Sequence, residues 1–209
     1  MELTKTLGEY LDELSSNSPT PGGGNVSALC ATLASCLGTM VCNLTIGKRK
    51  YADVEAEISS IKEKLEGYRQ KFIDLAQKDN QAFDKVMDAF KMPKETEQEK
   101  ALRSQQIEEA TYGAAKVPAE VVKSCSEVIP LIQTIVEKGN RNSLSDAGVA
   151  ALLLSTAAQG AFLNVLINCS SLKDQALGGE LLQTAETMSN EVKTTGDIIA
   201  DNIKKELRQ

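Results

Sequence analysis

The 209-residue sequence contains no histidine. That absence removes the His general base, the His-containing catalytic triad and His-ligated metal from the available chemistry. A di-metal helical bundle, which needs paired Glu-x-x-His ligands, is excluded on the same ground. Catalysis is left to Asp, Glu, Lys, Arg, Tyr, Ser, Thr and Cys. Tryptophan is also missing, proline occurs only 5 times, and aromatic residues make up 4% of the chain. The 5 cysteines are odd in number and scattered. Cys30, Cys36 and Cys42 are spaced by six, so on a helix each is turned about 240° from the last and no metal-binding face results. They read as small buried hydrophobes in a reducing cytosol.

Basic residues are outnumbered, 23 Lys and Arg against 29 Asp and Glu, for a net charge of −6. No general nucleic-acid face is expected from such a chain, although a local cation cluster still suits an anionic ligand. Hydrophobic residues at 42% and charged residues at 25% are ordinary for a soluble globule. The length fits one domain, 1–209, able to bury roughly 70% of its unfolded surface. The N-terminal MELTKTLGEYLDEL is amphipathic and acidic, unlike a secretory signal, and the expected location is the cytoplasm.

Helical periodicity is nearly continuous, and no strand signal interrupts it. A first helix carries Leu7, Leu11 and Leu14. Residues 25–47 then run without a charge, and a long amphipathic segment extends from Tyr51 to Phe90. Thr96 and Glu99 form a capping box that starts the next helix. Val117-Pro118 predicts its end, with a further apolar stretch from Val128 to Val136. After GNRNSLSD a second charge-free stretch runs from Ala147 to Leu172, and a C-terminal helix carries Leu177, Leu181, Met188, Val192, Ile199, Ile203 and Leu207. Either charge-free stretch is long enough to span a bilayer, which takes about 20 residues. Their Ser, Thr, Asn and Gln content, and neighbouring stripes that need covering, favour core helices and no membrane partner. The expectation is an all-α multihelical bundle with two buried, uncharged central helices, continued across the interface of a homodimer or larger homo-oligomer.

The stripe of the long helix reads Val54, Ile58, Ile61, Leu65, Tyr68, Phe72, Leu75, then position 79, Phe83, Val86 and Phe90. Position 79 is Asp. A carboxylate on an apolar face pairs with a buried Lys or Arg, or lies where the helix drifts out of the core and leaves it exposed, or carries a raised pKa, which is what a general acid/base needs. The segment PTPGGGN places Gly22, Gly23 and Gly24 before the first uncharged helix. Successive glycines let backbone N–H groups approach an anionic ligand; the other reading is a connector capped by Asn25. Lys48, Arg49 and Lys50 form the densest positive patch, suited to carboxylate or phosphate, and equally suited to a helix C-terminus. Asp146 opens the second uncharged helix, either as a cap or, with Asn140 and Asn142, as a partner for the donor edge of a heterocycle.

Taken in order, PTPGGGNVSAL, GKRKY, KDNQAF, AFKMPK, KVP, SDAGVAA and GAFLNVLIN resemble the formiminotetrahydrofolate cyclodeaminase family, whose relatives include methenyltetrahydrofolate cyclohydrolases. The likeness covers nearly the whole chain. It implies a multihelical oligomer that takes tetrahydrofolate, here as a stand-alone domain, with no further cofactor and no metal. The family aspartate before the Ala-Phe pair corresponds to Asp79, ahead of Ala82-Phe83. Gln77 stands where many relatives carry a second acid, Asn25 where Ser is usual and Met92 where Leu is usual. The resemblance implies closure of 5-formiminotetrahydrofolate to the 5,10-methenyl form with loss of ammonia, Asp79 moving the proton. Lys48, Arg49 and Lys50 would hold the polyglutamate tail, and the glycines would lie against the ligand. The alternatives are the cyclohydrolase reaction at the same aspartate and a non-catalytic interaction module.

Overall fold

The computed structural model describes residues 5–208; the first four residues of the amphipathic N-terminal segment lie outside that range. Among the described residues the helices are α1 (Leu7–Leu14), α2 (Gly23–Thr45), α3 (Glu55–Lys91), α4 (Glu97–Lys138), α5 (Leu144–Ser170) and α6 (Gln175–Glu206). Short 3-10 turns, Arg49–Val54 and Arg141–Ser143, precede α3 and α5. No strand occurs among them, as periodicity predicts. α3, α2, α5 and α6 follow one another as neighbours, and α4 packs against all four.

α2 and α5 meet through small residues. Ala28, Ala31, Ala34, Ala150, Ala157, Ala158 and Ala161 are fully buried. Gly38 lies where a Cβ would meet Ile132 at 2.7 Å and Leu65 at 2.8 Å, so glycine is what lets α2 reach this depth. The hydroxyls in α2 are satisfied within the helix: Thr32, Ser35 and Thr45 donate to carbonyls four residues back, at 2.9, 3.0 and 2.7 Å. Hydroxyls paired in this way do not by themselves oppose a bilayer. By length and composition alone, Gly23–Thr45 and Arg141–Ser170 are apolar enough to cross one. Here they pack on each other and on α3, α4 and α6.

Two expectations need correction, and a third point is left open by the sequence. First, Val117-Pro118 does not end a helix: α4 runs from Glu97 to Lys138 with Pro118 and Pro130 inside it. Each interior proline costs about 3 kcal/mol. Burial of Val121, Val122, Val128, Ile132 and Ile135, all at or below 1% exposure, outweighs it. Second, α2 and α5 are buried on one side only. Leu33, Met40 and Leu44 of α2, and Val149, Leu152, Leu163 and Ile167 of α5, are exposed on the other. Cys36 lies exposed on that outward side of α2, whereas Cys42 is buried and its thiol pushed up to about 11 by desolvation. Third, α1 turns Tyr10 inward and leaves Leu7 and Leu11 exposed. Its start is fixed by a Thr6–Glu9 capping box, the same device that Thr96 and Glu99 supply to α4.

Candidate active site

The stripe of α3 divides at Asp79. Ile58, Leu65, Phe72 and Leu75 before it are buried. Phe83 and Val86 after it are half-buried, and Phe90 is exposed. Asp79 thus stands at the edge of the core, half-buried. Desolvation raises its pKa above the usual carboxylate range, and a hydrogen bond from the Asn25 backbone N–H partly opposes that rise. No described Lys or Arg contributes to the shift. Instead of a buried cation, the carboxylate has met the N-terminus of α2, where unpaired N–H groups and the macrodipole favour negative charge.

The glycines make this approach possible. Gly22 is the N-cap of α2 and supplies no side-chain bond. A Cβ at Gly24 would lie 2.7 Å from the Asp79 Cγ, so any larger residue displaces the carboxylate. A Cβ at Gly23 would meet the Asn164 amide nitrogen at 3.3 Å. The alternative of a connector capped by Asn25 is set aside. Asn25 lies inside the first turn of α2, fully buried, and its side chain crosses to other helices. Its Nδ2 donates to the Ala76 carbonyl at 2.8 Å and to Asn80 Oδ1 at 3.2 Å. Its Oδ1 accepts from the Tyr10 hydroxyl at 3.0 Å. One amide therefore fixes α1 and α3 against the glycine turn and sets the register that brings Asp79 to Gly24.

Lys48, Arg49 and Lys50 are exposed at the opposite end of α2. A helix of 23 residues rises roughly 34 Å, so within one chain a small molecule at Asp79 does not touch them. Asn142, exposed, and Asp146, half-buried in the first turn of α5, share that far end. Asn140 is occupied structurally: its Nδ2 donates to the Leu44 carbonyl at 2.9 Å, its N–H to Thr45 Oγ1 at 2.9 Å, and its Oδ1 accepts from Asn142 N–H at 3.1 Å. It ties the end of α2 to the start of α5 and has no amide edge left for a heterocycle. Sequence reasoning missed Tyr10, Asn80 and Asn164. The last two sit inside the KDNQAF and GAFLNVLIN blocks, where their position was visible but their partners were not.

Two clefts flank the Asp79 turn of α3. A polar one of about 460 Å³ is lined by Thr20, Pro21, Asn25, Gln77, Asn80 and Gln81, among others. Amides and carbonyls of this kind match the alternating donors and acceptors of a heterocycle. A larger one of about 760 Å³ opens between α3 and α4. Among the described residues no group of three or more acidic or Cys side chains is placed to hold a metal.

A carboxylate with a raised pKa at a glycine-lined helix N-terminus, beside an amide-rich cleft, is equipped to carry a proton to and from a nitrogen heterocycle. Known proteins place the whole chain in a family. The profile of the formiminotransferase-cyclodeaminase family matches residues 6–187. The chain belongs to this family. It is 42% identical over 200 residues to a methenyltetrahydrofolate cyclohydrolase of Methylorubrum extorquens, covering 96% of each protein. It is 30% identical to the formimidoyltransferase-cyclodeaminase of Sus scrofa, of whose length it spans 37%. The crystal structure of a formiminotetrahydrofolate cyclodeaminase from Thermotoga maritima superposes with a TM-score of 0.83 at 32% identity, covering 96% of this chain and 98% of that one. All three relatives bear the names of enzymes, as expected for the formiminotransferase-cyclodeaminase family.

Proposed function

We infer that this chain opens or closes the five-membered ring of a one-carbon tetrahydrofolate, with Asp79 as the proton-carrying group and hydrolysis of the 5,10-methenyl form as the principal reaction. The observation that carries the reading is the Asp79 carboxylate lodged against Gly24, half-buried and held by Asn25 N–H. The 42% identity to a cyclohydrolase of matching length supports hydrolysis. This reverses the order in which the sequence blocks alone ranked the two reactions.

In the hydrolysis, Asp79 accepts a proton as water oxygen bonds to the methenyl carbon between N5 and N10. The carbon becomes tetrahedral and the cation is neutralised. Asp79 then returns the proton to N5 as the C–N5 bond breaks with its electron pair on nitrogen. The hydroxyl proton leaves to solvent, and a formyl group remains on N10. The second reading, cyclodeamination, is supported by the 32% likeness to the Thermotoga protein. There N10 attacks the formimino carbon, Asp79 moves the N10 proton to the departing nitrogen, a further proton comes from solvent, and ammonia leaves. Both are intramolecular or single-water steps, in which holding the reacting atoms in line supplies much of the rate.

The test offers 5,10-methenyl- and 5-formiminotetrahydrofolate separately and follows the methenyl absorbance against an enzyme-free blank. Accelerated loss from the first identifies the hydrolase, and appearance from the second identifies the cyclodeaminase. No change over blank with either would end this reading.

The exposed apolar sides of α2 and α5 belong to the same proposal as the contact with a second copy. Light scattering should give a dimer or larger; a stable monomer on dilution would remove this part.

A further inference from the structure

Lys78 and Lys85 face the α3–α4 cleft seven residues apart, on one side of the helix and about 10 Å apart along its axis. The cleft volume of about 760 Å³ lies within the range of about 300–1,000 Å³ usual for small-molecule sites. Between and beside the lysines its wall is apolar, with Ala82 and Ala89 from α3 and Ala110 and Val117 from α4. Ala82 is three residues past Asp79, one turn along the same side of α3. Gln81 lines both this cleft and the amide-rich one, so the two adjoin.

The charges in the cleft are unevenly engaged. Asp88 pairs with Lys91 at 3.1 Å. Glu109 accepts from Gln105 and Gln106 at 2.8 and 3.1 Å. Neither Lys78 nor Lys85 is held by a carboxylate among the described residues. A single carboxylate cannot serve two cations spaced in this way, whereas a chain bearing several carboxylates can.

We propose that the α3–α4 cleft takes the aryl-glutamate arm of the folate, its ring against Ala82, Ala89 and Val117 and its carboxylates on Lys78 and Lys85. The assignment rests on the folate reading above. It gives the tail a site in the same chain as Asp79, in place of the Lys48–Arg49–Lys50 group at the far end of α2.

The probe is p-aminobenzoyl-triglutamate, whose binding is measured by calorimetry on the full-length protein, independently of turnover. Wild type should bind it, more weakly as salt rises. Lys78→Ala/Lys85→Ala should weaken binding about fivefold to tenfold, the scale of two partly exposed ion pairs. Lys85→Ala alone, further from Asp79, should give an intermediate loss. In turnover, the same double variant should raise KM for polyglutamated folate more than for monoglutamate, with the change in KM and not in kcat. Lys48→Ala/Lys50→Ala should leave the probe's affinity unchanged. No binding by wild type, unaltered binding by the Lys78/Lys85 variant, or loss confined to the Lys48/Lys50 variant each overturns the assignment. If wild type binds the probe but turns over neither folate, the tail site stands and the reaction assigned to Asp79 fails.

Discussion

Asp79→Asn should abolish most turnover, by about 100-fold or more, in a protein that melts at or above the wild-type temperature. The two halves of this result have separate causes. Asn keeps the shape of the side chain and an oxygen to accept from Asn25 N–H, so the junction of α2 and α3 is retained. It has no proton to give or take. Stability follows from the sign of the pKa shift. Burial raises the folded-state pKa above the ordinary Asp value of about 3.9. The native state therefore prefers the protonated form, and the stability this contributes is present below the ordinary value and lost as pH rises through the raised one. At neutral pH the buried carboxylate is a net cost, which Asn removes. Had Asp79 paired with a buried Lys or Arg, Asn would have cost roughly 3–5 kcal/mol; no such cation contributes to its environment among the described residues. Since the first step needs the carboxylate form, wild-type activity should also fall as pH drops through a pKa above the usual Asp range. Turnover and thermal melting on one preparation decide the matter. An equally stable Asp79→Asn protein with near wild-type turnover would falsify the central assignment.

What the sequence made legible and what it hid can be traced through α3. Its apolar spacing gave the helix, its length and the anomaly of Asp79, because a helix face is a local property written every three or four residues. The same spacing could not tell that the stripe leaves the core just after Asp79. That depends on where α2 begins, and α2 begins at a glycine turn whose meaning is steric and non-local. Pro118 misled for the opposite reason: its local penalty is real, but long-range burial of α4 exceeds it. The uncharged α2 and α5 were correctly read as packing elements. Composition, however, carries no record of which side meets α4 and which is left exposed with Leu33 and Leu163. The basic group Lys48–Arg49–Lys50 drew attention by density alone. Lys78, one residue from Asp79, was less conspicuous in sequence and is far closer in space.

Gly24→Ala should be the most damaging conservative change outside Asp79 itself. Local helix preference argues the other way, since Ala in place of Gly inside a helix ordinarily gains about 1 kcal/mol. Here the new Cβ would stand 2.7 Å from the Asp79 Cγ, well inside contact distance, and the carboxylate is held by the Asn25 backbone N–H of α2. Either α2 and α3 separate, costing about 1–3 kcal/mol as overpacking does, or Asp79 swings to another rotamer and leaves Asn25 N–H. Both misplace the proton-carrying group, and a displacement of about 1 Å at a reacting centre is worth up to about 100-fold in rate. Turnover should therefore fall by roughly 10-fold to 100-fold, with no gain in melting temperature. Gly23→Ala is the control. Its Cβ meets the far end of the Asn164 amide at 3.3 Å, which can yield by a few tenths of an ångström, so a mild effect is expected. The decisive measurement is the double variant Gly24→Ala/Asp79→Asn. If the glycine acts through Asp79, adding Gly24→Ala to Asp79→Asn should reduce turnover little further, because the group it would misplace no longer carries a proton. Additive losses in that cycle, or a Gly24→Ala protein with wild-type turnover and the melting gain expected of an ordinary helical alanine, would show that the contact between Gly24 and Asp79 does not set the catalytic geometry.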